Sequence, residues 1–386
     1  MQHIKFFKDL SKRDVGIAGG KGASLGEMTR AGIAVPLGFV VTASAFDRFL
    51  QETNLKAEID SIVHELNYKD IHRVEHASET IRDLIHDERM PKDLQVEILE
   101  AYHKLAARPS PRPSPPPEAG RRGRGGLSTS PLPKGEGGRR SGEGFLVAVR
   151  SSATAEDSSQ ASWAGELESY LNTTEKVLLG NVKQCWSSLF TPRALVYRNE
   201  KGMHKAHVSV AVVVQKMVQS EIAGVCFTVH PVTKDRHQMI IEACWGLGEA
   251  LVGGQVTPDA YVIDKRDWSL IDVSVSEQKK MITRRGVPPL RVRGGREGLR
   301  SAIRANRRTI QSPSRTTRRL SDGGGTREVV VPDKFLHRQK LDGRQIVELA
   351  KLCAKIETHY KFPCDIEWAL ESGKFYIVQS RPITTL

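Results

Sequence analysis

Apolar positions fall along the chain in two rhythms. Short apolar runs at Ile4 to Phe7, Gly38 to Val41, Phe145 to Val149 and Val208 to Val214 predict buried strands. Gly224 to Val229 and Met239 to Ala243 read as a strand pair, Glu328 to Val331 as a short strand, and Cys364 to Leu370 and Lys374 to Arg381 as a closing pair. In the first of that closing pair Asp365, Glu367 and Ala369 alternate with Ile366 and Trp368, so Glu367 points to the face opposite Ile366. The other rhythm is helical. It predicts a helix over Ala23 to Ala31, one begun by Thr42 through Phe46 to Leu50, and a helical subdomain over 54–106 carried by Ile59, Ile62, Ile81, Leu84, Leu94 and Ile98. It resumes over 176–200, with a break at Thr191 and Pro192, and over Asp342 to His359.

Two stretches follow neither rhythm. Residues 107–141 carry seven Arg and one Lys against two Glu, a net of +6; residues 283–325 carry twelve Arg against Glu297 and Asp322, a net of +10. The whole chain of 386 residues is only +13, so everything outside them is mildly acidic. Both are rich in Arg, Pro, Gly and Ser and poor in large apolar residues, with one weak helical turn around Leu299 to Arg307. They are expected to be disordered surface insertions, tolerable because loop closure costs only about 0.6 kcal/mol per doubling of length. A nucleic-acid role is disfavoured because they lack interleaved aromatics. The five cysteines have no paired spacing, and neither a signal-peptide core nor a bilayer-length apolar run occurs, so a soluble, cytoplasmic chain with reduced thiols is expected.

The candidate chemistry gathers at strand ends. After the Phe145 run come Arg150, Ser151, Ser152 and Thr154, a planar cation and small hydroxyls suited to phosphate oxygens, although a plain Ser/Thr turn has the same composition. Gly19, Gly20, Lys21, Gly22 and Gly26 lead into the first helix, where amides and an ammonium could meet a phosphate; this is not a Walker A loop, and a structural glycine turn fits equally. Gln215, Lys216, Met217 and Val218 follow a strand as an adenine slot would, or as an ordinary turn would. The loop from Trp245 to Asp264, with Glu249, Gln255 and Asp259 and with Glu242 just before it, suggests a mobile segment near a ligand. A hairpin through Glu371, Ser372 and Gly373 would bring Glu367, Gln379 and Arg381 together, two hard oxygen donors for Mg²⁺ beside a phosphate-binding cation.

Seven motifs in order, GGKGASLGEM, VAVRSSATAEDSSQASWAGELESYLN, QKMV, EIAGVCFTVHP, EACWGLGEALVGGQVTPDAY, DIEWAL and IVQSRPIT, resemble the N-terminal nucleotide-binding domain of the phosphoenolpyruvate synthase (pyruvate, water dikinase) family, related to pyruvate phosphate dikinase and rifampicin phosphotransferase. The resemblance implies an α+β, ATP-grasp-type fold in which two lobes clasp ATP, with a helical subdomain and two disordered insertions. It divides the chain into an N-terminal lobe (1–106), an insertion (107–141), a central nucleotide-binding segment (142–282), an insertion (283–325) and a C-terminal Mg-binding segment (326–386). It implies ATP and Mg²⁺ as cofactors, Lys21 and Arg150 on the phosphates, and Gly165, Ser169 and Tyr170 in the wall of the nucleotide pocket. Gln215 would lie in the adenine segment, Glu367 and Gln379 on Mg²⁺, and Arg381 at the transferring phosphates. In the family, phosphate passes to a histidine on a carrier domain and then to pyruvate in a barrel. None of the twelve histidines here has the carrier setting, so both domains are expected on another chain. A rifampicin-phosphotransferase-like domain, or a split gene product that binds nucleotide without turnover, are the alternatives.

Overall fold

The computed structural model describes residues 2–107, 144–154, 168–202, 209–285 and 325–384. Gly165, the turn around Leu299 to Arg307 and nearly all of both Arg-rich stretches lie outside those residues.

Helices and sheets are mixed in an α+β arrangement. One five-stranded sheet has the order β1 (Ile4–Phe6), β2 (Gly38–Val41), β5 (Val210–Lys216), β3 (Val147–Ala153), β4 (Ser169–Thr173), with every neighbouring pair antiparallel. The other has six antiparallel strands: β13 (Lys374–Pro382), β12 (Cys364–Glu371), β6 (Ile222–Phe227), β7 (Gln238–Trp245), β8 (Asp259–Asp264) and β9 (Leu270–Ser274). A two-stranded arm, β10 (Lys280–Arg284) with β11 (Thr326–Val330), stands beside it.

Side-chain alternation explains how the sheets are covered. Val212 and Val214 of β5 join Phe39, Val41, Val147 and Val149 in a core closed by α2 (Ala43–Glu52), α3 (Leu55–His64), α4 (Ile71–Asp87), α5 (Lys92–Ala107), α6 (Glu175–Ser187) and α7 (Pro192–Glu200). Val213 and Val40 point the other way, onto α1 (Val15–Arg30), and share a second core with the buried face of the six-stranded sheet and with α9 (Gly343–Tyr360). One helix, α1, thus packs against both sheets; Ser24 Oγ donates to the Ser380 carbonyl at 2.9 Å to tie it to β13. A short α8 (Glu249–Val252) lies in the loop after β7.

Caps fix several helix starts. The Asp70 carboxylate accepts from the His72 and Arg73 amides, Thr191 Oγ1 accepts from Ala194 N, and Asp342 and Gln345 form a reciprocal capping box. Thr42 sits at the start of α2 as expected, but its hydroxyl pairs with Ser44 Oγ at 2.9 Å rather than with the helix amides.

The first helix departs from the sequence expectation. Instead of starting at Ala23 after an open glycine loop, α1 starts at Val15 and kinks at Gly19, where φ is 67° and ψ 173°. A side chain there would be strained and would put Cβ 2.2 Å from the Ser152 carbonyl oxygen. The Ser152 hydroxyl closes the kink by donating to Ala18 O (2.9 Å) and accepting from Gly22 N (3.3 Å). Glycine at this position therefore meets a packing requirement against β3.

Candidate functional site

Between the two sheets lies a cavity of about 430 Å³. One end is apolar, with Ala148, Met217, Val218, Ala223 and Val252 in its wall; Arg150 and Glu367 stand in the wall with them. β3 brings Arg150, β4 Ser169 and β5 Gln215, while Glu249 and Gln255 come from the loop after β7.

The polar end is built by a hairpin and a bulge. Ser372 (φ 53°) and Gly373 (φ 78°) form a two-residue turn that sets Glu371 opposite Lys374. Continued regularly, that register would place Gln379 opposite Ile366, on the buried face. The register shifts between Glu367 and Trp368 instead, leaving Val378 as the extra residue and setting Glu367 opposite Gln379. Arg150 donates from Nη1 to the Val378 carbonyl (3.0 Å) and from Nη2 to Glu367 Oε2 (3.1 Å) and Gln379 Oε1 (2.7 Å). Two hard oxygens therefore converge on a single nitrogen.

Arg381 goes elsewhere. Its guanidinium pairs with Asp365 Oδ2, Nε at 2.8 Å and Nη2 at 2.7 Å, and it lines a different cavity, of about 260 Å³, with Lys12, Gly20 and Thr154. Burial pushes the Asp365 carboxyl up, with Arg381 opposing the rise and Glu367 adding to it. Sequence reasoning passed over Asp365 as a site residue. Its signal was the two-residue spacing from Glu367, which puts both carboxylates on one face.

Other expected residues divide. Ser169 lines the main cavity, but Tyr170 turns to the helical side, where its hydroxyl donates to the Glu168 carboxylate, itself paired with Arg82 at 2.9 Å. This corrects its place in the pocket wall: successive residues of β4 face opposite ways. Lys21 is half-buried in the turn after the Gly19 kink and does not line the main cavity. Its charge opposes the rise that burial and Glu168 impose on the Cys185 thiol. All five cysteines are free and buried. Gln215 is 2 % exposed, and among the described residues its side-chain Nε2 has no hydrogen-bond partner.

The loop after β7 is also reassigned in part. Glu249 and Gln255 reach the cavity, whereas Asp259 is fully buried in an ion pair with Lys340 Nζ at 2.7 Å and accepts from Tyr261 Oη at 2.8 Å. Glu242, on β7, lies in one cross-strand row with Val225, Glu367 and Gln379. Burial raises its pKa, with Asp365 adding to the rise.

The family model for the pyruvate phosphate dikinase AMP/ATP-binding domain matches residues 15–115, 135–290 and 295–386. The chain belongs to that family. It is an ATP-binding domain homologous to the N-terminal part of phosphoenolpyruvate synthases. It is 39% identical over 388 residues to the "Probable phosphoenolpyruvate synthase" of Methanocaldococcus jannaschii, covering 100% of this chain and 27% of the relative. It is 40% identical over 384 residues to the protein of the same name from Archaeoglobus fulgidus (99% and 42%), and 36% over 422 residues to the "Phosphoenolpyruvate synthase" of Pyrococcus furiosus (99% and 44%). The chain spans less than half the length of these curated relatives. Among the described residues no helix is long and apolar enough to cross a membrane.

Proposed function

We propose that the chain binds Mg²⁺·ATP between its two sheets and supplies the nucleotide end of a phosphoryl transfer of the phosphoenolpyruvate synthase type. The observation that carries this reading is the convergence of Arg150, Glu367 and Gln379 beside the apolar part of the cavity. Two α+β lobes flanking that cavity support an ATP-grasp-type arrangement, with 1–106, 142–282 and 326–386 as its parts and 107–141 and 283–325 as insertions.

The residues suit each part of the nucleotide. Met217 and Val218 offer soft apolar contact to a purine, and Gln215 Nε2, without a partner among the described residues, offers it a hydrogen bond. Arg150 is the cation in the cavity wall for the phosphates, and Ser169 adds a hydroxyl there; Arg381 and Lys21, which lie outside that wall, are the further cations proposed for them. Glu367 Oε2 and Gln379 Oε1 already share one cationic partner and are the hard donors Mg²⁺ prefers. Among the described residues no group of three or more His, Cys, Asp or Glu side chains could hold a metal, so these two would hold Mg²⁺ with phosphate and water completing its shell. Bound there, Mg²⁺ offsets phosphate charge. Phosphoryl transfer depends mainly on such neutralisation and on positioning. The full reaction, ATP with pyruvate and water giving AMP, phosphoenolpyruvate and phosphate, would need a phosphohistidine carrier and a pyruvate-binding barrel from polypeptide outside this sequence, in the cytoplasm.

Calorimetric titration with ATP, with and without Mg²⁺, tests the reading. Arg150→Ala and Glu367→Ala should each abolish Mg²⁺-dependent binding while the circular dichroism of the fold is kept. Normal affinity in both variants would refute the site.

A further inference from the structure

The described strands β1 to β5 all belong to the five-stranded sheet, and every later one belongs to the six-stranded sheet or its arm, so the chain crosses between the sheets at 217–221. That crossing is also a wall of the main cavity. Met217, Val218 and Ser220 line it, and Gln219 does not. Gln219 is bonded to both sheets instead. Its Nε2 donates to Asn172 Oδ1 at 2.7 Å, on β4, and its backbone N donates to Glu371 Oε1 at 3.1 Å, at the end of β12.

A bulge places Asn172 for this bond. Val147 faces Thr173 and Val149 faces Tyr170, so Ala148 alone stands against Leu171 and Asn172. Asn172 is fully buried and takes the left-handed conformation (φ 54°), which asparagine adopts more readily than most side chains. Its neighbour Leu171 lines the cavity and, with Met217, packs against the apolar cluster of Leu247, Ala250 and Ile282.

Resting on the nucleotide reading above, we propose that Gln219 is a positioning residue for the purine. Bonded to one residue of each sheet, it fixes the crossing, and with it the apolar wall that Met217 and Val218 present to the base. It acts through those two residues, since its own side chain is turned to Asn172 and away from the cavity. A wall held in place before binding spares the ligand the cost of ordering it. Loosening the crossing therefore weakens the hold on the base and leaves the phosphate end, built by Arg150, Glu367 and Gln379, as it was.

Hydrogen exchange and calorimetric titration of the full chain test this together. Gln219→Met keeps the length of the side chain and removes the donor to β4; Glu371→Ala removes the acceptor on β12. The Met217, Gln219 and Glu221 amides are all bonded, so they report on the crossing. In each variant, exchange at 217–221 should rise about tenfold, the worth of one hydrogen bond, while the interiors of β5 and β6 stay unchanged. Affinity for Mg²⁺·ATP should fall about tenfold. Affinity for Mg²⁺·tripolyphosphate, which carries no base, should be kept, whereas a residue that only stabilised the fold would affect both ligands alike. A parent chain that binds no Mg²⁺·ATP overturns the proposal together with the nucleotide reading. Unchanged exchange at 217–221, unchanged affinity for Mg²⁺·ATP, or equal losses for ATP and tripolyphosphate overturn the proposal alone.

Discussion

In the five-stranded sheet the helices α2 to α7 cover one face and α1 the other, whereas the six-stranded sheet buries the face turned to α9 and leaves its second face half-buried along the cleft. The sequences record the difference. β5 is a continuous run of buried residues from Val210 to Gln215, because both its faces are covered. β12 alternates, with Cys364 and Ile366 buried and Asp365 and Glu367 half-buried. The first sheet contributes to the site where its buried strands carry polar residues, at Arg150 and Gln215. The second contributes from a whole face, and cross-strand register decides which of its charges meet.

The contrast can be broken most forcefully at the buried ion pair. Lys340 and Asp259 have fully buried side chains, and removing one partner of such a pair typically costs about 3–5 kcal/mol. Lys340→Met should lower stability by that amount in urea denaturation; a loss below about 1 kcal/mol would show that water reaches the pair.

Adjacent residues of β12 give the sharpest test of its two faces. Ile366→Ala, on the buried face, should cost about 2–5 kcal/mol of stability. Glu367→Gln should change stability by less than about 1 kcal/mol, as for a partly exposed polar position, yet remove Mg²⁺-dependent ATP binding. Equal destabilisation by both would erase the distinction between the faces.

Gln215→Leu addresses the first sheet's contribution. Replacing a buried amide whose Nε2 lacks a partner should leave the melting temperature unchanged or higher. Affinity for ATP should fall by about tenfold, the equivalent of one hydrogen bond of about 1.4 kcal/mol. Unchanged affinity would remove Gln215 from the site.

The smallest effect concerns pH. A carboxyl whose folded pKa is raised stabilises the fold in its protonated form, and that contribution is lost as pH rises through the folded pKa. Glu242, raised from the ordinary carboxylate value near 4.5, is therefore a liability at neutral pH. Glu242→Gln should melt slightly higher than the parent at pH 7, with the gap closing as pH falls below 4.5. A gap that stays constant with pH would contradict this.

Much of this organisation was legible in the chain. Periodicity located β5, β12, β13, α9 and the helices of residues 54–106, because burial on one face or two is a local signal. The meeting of Glu367 with Gln379 was anticipated for a reason the structure changes: the turn is Ser372–Gly373 alone, and the bulge at Val378 restores the facing that this shorter turn would have lost. Bulges leave no local signature strong enough to read. Long-range contacts were equally hidden. The Gly19 kink answers to Ser152, 133 positions away, and Asp259 to Lys340, 81 positions away. Tyr170 and Ser169, adjacent in β4, do not share one wall, because a strand sends successive side chains opposite ways.

The central claim is that the cleft between the sheets is an assembled Mg²⁺·ATP site. Thermal unfolding of the chain with ATP alone, Mg²⁺ alone and both together tests it most directly, since a ligand bound only by the native state adds about 2.7 kcal/mol at a hundredfold excess over Kd. The account predicts a clear upward shift with both ligands, little with either alone, and none with both in Glu367→Ala. A cooperatively folded chain whose transition is unmoved by Mg²⁺·ATP would contradict it.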